Sequence, residues 1–86
     1  MQENSSPMPP QDKRYYSGEA VHAGDVVRFN GVPTIVVFVN DNREYQPGFS
    51  AEEWAHLGSG FMLQVENGAL VFLEEADEDL DFVCRA

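Results

Sequence analysis

Residues 34–39, with the sequence TIVVFV, most limit how this chain can fold. Five of the six side chains are β-branched, and none is charged. A strand with one solvated face alternates apolar and polar residues, and this segment does not. It is therefore predicted to be a central strand that is covered on both faces. One face must meet the main core, and the other needs a helix, a long loop or a partner.

Two Asn-Gly pairs predict where the neighbouring strands turn. Asn30-Gly31 precedes the central strand, and Asn67-Gly68 separates an alternating segment, 61–66, from an apolar one, 69–73. Both central positions of a type I′ turn need a positive φ, which Asn and Gly tolerate. Each pair therefore predicts a two-residue β-hairpin.

The long connection between the hairpins predicts one short helix. Ser50 and Glu53 have the spacing of a capping box, in which the serine oxygen accepts from the Glu53 N–H and the carboxylate returns to the Ser50 N–H. Gly58 ends the helix after about two turns. Trp54 and Leu57 lie three residues apart, so they share one face, which must pack on the sheet because a helix this short is unstable alone.

These elements predict a mainly β fold, a small SH3-like antiparallel barrel of about five strands with the short helix in the long central connection. A twisted antiparallel sheet packed on that helix is the second choice. Residues 1–14 lack a hydrophobic period and predict a flexible N-terminal leader, followed by a single β-barrel-like domain over 15–86.

The lone Cys84 is expected to be a buried or half-buried thiol, as free cysteines usually are. With no secretory signal or apolar run long enough to span a bilayer, a cytoplasmic location is expected.

Negative charge is concentrated near the end of the chain, whose net charge is -10. Such a surface repels nucleic acid and anionic lipid and attracts basic proteins, so neither nucleic acid nor membrane is an expected partner. Leu80 and Phe82 interrupt the charges, which favours an ordered acidic edge over a loose tail. Tyr45, in an aromatic-rich loop with Phe49 and Trp54, is a candidate anchor, although Phe49 and Trp54 are more simply explained as core residues. The predicted partner-binding residues are Glu74, Glu75, Asp77, Glu78, Asp79, Asp81 and Tyr45.

No pattern of reactive residues predicts catalysis, a metal site or a cofactor. His22, His56 and Cys84 have none of the spacings that mark zinc ligands or a nucleophilic pair. Segment 77–81 alternates oxygen-bearing residues but lacks the central glycine and the final glutamate of a calcium-binding EF-hand loop. The chain is therefore expected to be non-enzymatic, with no catalytic residue, metal or cofactor.

The stretch YSGEAVHAGDVVRFNG (16–31), the apolar strand after it and PGFSAEEW (47–54) resemble small bacterial immunity proteins. Such proteins are encoded beside secreted polymorphic or type VI secretion toxins. The resemblance covers roughly residues 15–83 and implies a stoichiometric inhibitor that binds a cognate toxin, often by covering its active site. The acidic charge of this chain in turn predicts a toxin with a basic active-site cleft. It transfers no catalytic residue.

The alternative is a general SH3-like adaptor that regulates a neighbouring enzyme by peptide or subunit binding. A homodimer is a further option if the helix fails to cover residues 35–39.

Overall fold

The computed structural model describes residues 13–85, so the predicted leader over 1–14 lies almost entirely outside the described residues. The described residues form six strands and one short α-helix. The strands are β1 (Asp25–Phe29), β2 (Val32–Val39), β3 (Glu44–Tyr45), β4 (Phe61–Val65), β5 (Leu70–Leu73) and β6 (Leu80–Arg85). Helix α1 is Ala51–Trp54, and 3-10 turns cover Asn40–Asn42 and Ala55–Leu57.

The strands form one antiparallel sheet in the order β5-β4-β2-β1-β6, and β3 pairs with the far end of β2. The predicted mainly β, antiparallel fold with one short helix in the long central connection is therefore confirmed. A sixth strand is present because Glu44 and Tyr45, which the sequence placed in a loop, pair with Val39 and Phe38. Within the described residues, no ladder joins β5 to β6, so barrel closure is not confirmed.

One face of the sheet encloses the main core. Buried side chains from β1, β2, β4 and β6 meet there, among them Val27, Val36, Leu63 and Leu80. Both edge strands also contribute to this cluster, β5 through Leu73 and others. Because residues from the two edges pack in one cluster, the sheet curls around this face, which we call the inner face.

Partway along the central strand β2, a bulge interrupts the alternation of its side chains between the two faces of the sheet. The register with β4 shifts between Val36 and Phe38. Val36 and Val39 belong to the main core, whereas Val37 and Phe38 join a second cluster with Met62 on the outer face. A bulge of this kind explains why the segment does not alternate. The prediction of a strand covered on both faces is correct for residues 36–39, which are all buried.

The aromatic-rich connection between β3 and β4 covers this second cluster. Three of its side chains, from Phe49, Trp54 and Leu57, pack on Phe38 and its neighbours, together with Tyr45 of β3. Ser50 caps α1 as predicted by accepting from the Glu53 N–H, at 3.4 Å. The Glu53 carboxylate, however, faces the Ser50 hydroxyl rather than the Ser50 N–H.

The two predicted hairpins form, with different turns. Asn30 and Gly31 both have positive φ, 53° and 80°, between the paired residues Phe29 and Val32, as a type I′ turn requires. At the second hairpin only Gly68 has a positive φ, 94°. The Val65 N–H bonds to the Ala69 carbonyl, which leaves a three-residue loop ending in a glycine bulge. The type I′ prediction is therefore wrong for Asn67-Gly68.

Candidate functional site

The predicted acidic residues lie on the connection between β5 and β6 and at the start of β6. This connection, residues 74–79, runs from one edge of the sheet to the other. Its midpoint, Ala76, packs against the main core, so the connection crosses the inner face. We call residues 74–81 the acidic connection.

Several hydrogen bonds hold the acidic connection in place. The Asn30 N–H, in the first hairpin, donates to the Asp79 carbonyl at 2.9 Å. Asp77 closes a local turn, since its carbonyl accepts from the Leu80 N–H and its Oδ1 accepts from the Asp79 N–H. The prediction that these residues form an ordered edge agrees with this geometry.

The carboxylates themselves face solvent. All six predicted acidic residues are exposed: Glu74, Glu75, Asp77, Glu78, Asp79 and Asp81. Within residues 13–85, one ion pair reaches them, from the Lys13 Nζ to the Glu75 Oε2 at 3.0 Å. The backbone of these residues is held in place, and their side chains carry like charges that are exposed to solvent. They therefore form an ordered patch that attracts cations and basic protein surfaces.

Tyr45, the seventh predicted site residue, does not join this patch. Its ring stacks on Phe38 with the centroids 5.3 Å apart, and its hydroxyl donates to the Asn40 side-chain oxygen. Phe38 belongs to the outer-face cluster, whereas residues 74–79 of the acidic connection cross the inner face. Asp81 lies in β6 opposite Arg28, between the inward-facing Leu80 and Phe82, and projects from the outer face. The structure therefore divides the predicted residues between opposite faces of the sheet, and Tyr45 is half-buried.

Phe49 and Trp54 are packed residues of the aromatic cover. The Trp54 ring lies 5.6 Å from Phe38 and 6.2 Å from Phe49. The Trp54 Nε1 is buried and has no hydrogen-bond partner among the described residues. Packing accounts for both rings, as the simpler of the two readings expected.

A buried carboxylate at the start of β1 is the site residue that sequence reasoning missed. Asp25 is fully buried, and its Oδ2 accepts from the Tyr15 hydroxyl at 2.7 Å and the His22 N–H at 2.9 Å. Its Oδ1 accepts from the Arg85 Nε at 3.0 Å. No local signal marked Asp25, because its partners come from 60 residues away as well as from the preceding loop.

Two of the partners of Asp25, Tyr15 and Arg85, have raised pKa values. Burial, with the hydrogen bond to Asp25, raises the pKa of Tyr15 well above its ordinary value. The hydrogen bond to Asp25 also raises the pKa of Arg85, whose Nη2 donates to the Ala20 carbonyl. These partners satisfy the carboxylate from several directions, so the network fastens the N-terminal loop to both β1 and β6.

The reactive side chains considered for catalysis or metal binding are dispersed. His22 Nδ1 contacts the Glu44 carboxylate at 2.9 Å, while His56 is exposed on the 3-10 turn after α1. Cys84 is free and exposed, which corrects the expectation of a buried or half-buried thiol. Its β6 position beside Val26 turns it toward the outer face, away from the main core. Across residues 13–85, no group of three or more His, Cys, Asp or Glu side chains is placed to hold a metal ion.

Comparisons with known proteins give no relative for this chain: no family model, curated protein or solved structure matches it. In the part of the chain that the structure describes, no helix is long and apolar enough to cross a bilayer. The acidic connection, exposed but held by its backbone, is the candidate functional site.

Proposed function

We propose that this chain is a non-enzymatic acidic binding protein, an immunity protein that neutralises a cognate bacterial toxin in the cytoplasm. The toxin would present a basic active-site cleft, and the acidic connection would occupy it. The observation that carries the proposal is the combination of six exposed carboxylates with a backbone fixed at Asp77 and Asp79. The resemblance of the sequence to immunity proteins supports it.

The like charges of the acidic connection are crowded together, which costs free energy in the unbound protein. Six exposed carboxylates within eight residues repel one another, and Lys13 offsets one of them at Glu75. A basic cleft would relieve this repulsion. Because the connection is ordered before binding, little conformational entropy would be lost when the partner docks. Opposite charges also steer the encounter and raise the association rate.

The test begins with the reading frame beside the gene. Co-expression of this chain with the neighbouring gene product should give one basic partner in equal stoichiometry, and should restore growth that the partner alone inhibits. A metabolic enzyme as the neighbour would favour the adaptor alternative instead. Failure to obtain a complex with any neighbouring gene product would contradict the immunity proposal.

The acidic connection is tested by a matched pair of variants. Glu74→Gln, Glu78→Gln and Asp79→Asn neutralise three carboxylates and leave the Lys13–Glu75 pair and the Asp77 side chain intact. The control is Glu52→Gln, Glu53→Gln and Glu66→Gln, three other exposed acids. The first variant should slow association by roughly tenfold at low salt and flatten its salt dependence, while the control should have a much smaller effect. Equal effects would reduce the patch to a contribution to net charge.

A further inference from the structure

The edge strand β5 has one side of its backbone without a partner strand. Its four residues, with the sequence LVFL, pair with β4, and no other described strand joins them. The Val65 N–H bonds to the Ala69 carbonyl, so this pair and every second pair beyond it are the hydrogen-bonded ones. The N–H and C=O groups of Leu70 and Phe72 therefore point away from β4. No backbone group in the described part of the chain pairs with them.

The opposite edge of the sheet, β6, is already protected. The register with β1 shifts at Val83, and a bulge of this kind twists an edge away from further pairing. The Leu80 N–H is bonded to the Asp77 carbonyl, and Arg85 holds the N-terminal loop beside the strand through the Ala20 carbonyl. Strand β5 has no bulge, proline or charged residue. It is therefore the edge that remains open to another strand.

Acidic residues stand at both ends of β5. Glu66 precedes the turn into the strand, Glu74 follows the strand, and both are exposed. Glu66 lines the uncovered part of the outer face with Gln64 and Ile35, which is 37% exposed. Neither Glu66 nor Glu74 forms an ion pair within the described residues. Pairing with β5 of a second copy would bring these carboxylates against their own copies, whereas a basic segment would neutralise them.

We propose that β5 binds an extended, basic segment of a partner protein by strand addition, so that the segment becomes a further strand of the sheet. Leu70 and Phe72 exchange N–H and C=O hydrogen bonds with it. Such main-chain bonds supply affinity whatever the sequence of the segment, and its side chains supply specificity. The inference deepens the proposed function and rests on it, because it names the part of the basic partner that docks.

The spacing along β5 determines which side chains the segment should carry. Leu70 and Phe72 share the outer face, because Phe72 packs on the aromatic cluster there and residues two apart lie on one face. A segment opposite residues 68–74 places two side chains beside Leu70 and Phe72. It places one more at each end, toward Glu66 and Glu74. We therefore expect two apolar residues flanked by lysine or arginine, a pattern that fits a segment running in either direction.

Amide hydrogen exchange of the full chain, followed by NMR, tests the pairing directly. The probe is a capped peptide, KTVTVTK, whose length of roughly seven residues runs along the whole of β5. With the peptide bound, the amides of Leu70 and Phe72 should exchange at least tenfold more slowly, because each then donates to the peptide. The amide of Tyr16, an exposed residue of the N-terminal loop, should be unchanged. Unchanged exchange of Leu70 and Phe72 up to about 2 mM peptide would overturn the proposal.

Two matched peptides separate main-chain pairing from charge. ETVTVTE reverses the end charges and should bind at least tenfold more weakly, by an amount that shrinks as salt is added. KTVPPTK keeps both lysines but has two adjacent prolines, which remove one N–H from each edge of the peptide, and it should give no protection. Equal binding of ETVTVTE would exclude a basic partner. Equal binding of KTVPPTK would show charge attraction alone and exclude strand addition.

Two variants of one residue separate the backbone of β5 from its side chains. Leu70→Pro removes an N–H that points away from β4, at the first position of a strand, where proline is tolerated. Leu70→Ala shortens the side chain and keeps the N–H. Leu70→Pro should weaken KTVTVTK binding at least tenfold and Leu70→Ala about threefold. Equal losses would assign the binding to the side chain. If Leu70→Pro fails to fold by circular dichroism, the comparison with KTVPPTK still decides.

The complex with the neighbouring gene product separates this inference from the proposed function. If that product binds and the amides of Leu70 and Phe72 still exchange at their free rates, strand addition is wrong and the immunity proposal stands. If no neighbouring product binds, the immunity proposal fails, and the KTVTVTK titration alone decides whether the edge accepts a basic strand. Binding that protects both amides supports the two proposals together.

Discussion

Arg85, in the last strand, donates from its Nε to the Oδ1 of the fully buried Asp25 at 3.0 Å, and so joins β6 to the start of β1 across 60 residues. Tyr15 and the His22 backbone satisfy the other oxygen. The Arg85 guanidinium also lies 5.3 Å from the centre of the Phe82 ring. This buried carboxylate is the point at which the N-terminal loop, β1 and β6 meet.

Asp25→Ala should destabilise the fold strongly. It would leave the Tyr15 hydroxyl and the His22 N–H without an acceptor in a buried place, at a cost of about 3 kcal/mol. Tyr15→Phe removes one donor and should cost about 1 kcal/mol. Urea unfolding, followed by circular dichroism, measures both. Similar free energies of unfolding for Asp25→Ala and Tyr15→Phe would contradict a shared network around Asp25.

The raised pKa of Tyr15 predicts a loss of stability at high pH. In the unfolded chain this tyrosine loses its proton near pH 10, while in the folded chain burial and Asp25 hold the proton on. The stabilisation is therefore complete below pH 10 and falls above it, by up to about 1.4 kcal/mol per pH unit. Urea titrations from pH 8 to pH 11.5 should show this slope. It should be reduced in Tyr15→Phe and kept in Tyr16→Phe, which alters an exposed tyrosine.

Gly60→Ala should be much more damaging than Gly58→Ala. Both glycines have positive φ, 141° and 80°, so both substitutions strain the backbone. At Gly60, however, a Cβ would approach the Leu73 carbonyl oxygen to 2.5 Å and the Phe72 ring to 2.6 Å, whereas the space at Gly58 is open. We expect about 3 kcal/mol for Gly60→Ala and about 1 kcal/mol for Gly58→Ala, by thermal unfolding. Equal costs would mean that β5 moves freely away from Gly60.

Phe38→Ala should loosen the aromatic cover. Phe38 is fully buried, and the rings of Tyr45, Phe49, Trp54 and Phe72 all surround it. Removing it should cost about 4 kcal/mol. Because the chain has a single tryptophan, its fluorescence reports on this cover, and the emission should shift to longer wavelength. An unchanged emission maximum would show that Trp54 is held without Phe38.

Neutralising part of the acidic connection should raise the melting temperature at low ionic strength. Glu74→Gln, Glu78→Gln and Asp79→Asn relieve repulsion among exposed carboxylates without removing the Lys13–Glu75 pair. Because salt screens such repulsion, the difference from the wild type should shrink as salt is added. A melting temperature that falls in low salt would indicate that these carboxylates stabilise the fold through contacts of their own.

Much of the fold was predictable from local patterns. Asn30-Gly31 determines a type I′ turn because both residues accept positive φ, and Ser50 caps a helix because its oxygen reaches the Glu53 N–H. Asn67-Gly68, by contrast, does not form the type I′ turn that its residue types favour. The same pair of residues stands in a three-residue loop, with Asn67 outside the positive-φ region, because the flanking strands pair in a different register.

The candidate site was predictable only in part. The six carboxylates are exposed, and their backbone is ordered, as the interrupting apolar residues suggested. Tyr45 was grouped with them because of its residue type, yet it lies on the opposite face, where its ring is stacked on Phe38. Cys84 was expected to be at least half-buried, but the register of β6 turns it outward.

The sequence by itself determined the mainly β fold, the central strand, the short helix and the place of the acidic connection, because each depends on residues close together in the chain. Only the tertiary structure decided which faces those elements occupy. The bulge in β2 divides its apolar residues between two clusters, and the helix is long enough to cover one of the two halves of the outer face. Contacts such as Asp25–Arg85, and exposures such as that of Ile35, follow from strand register, which is set by packing across the whole sheet.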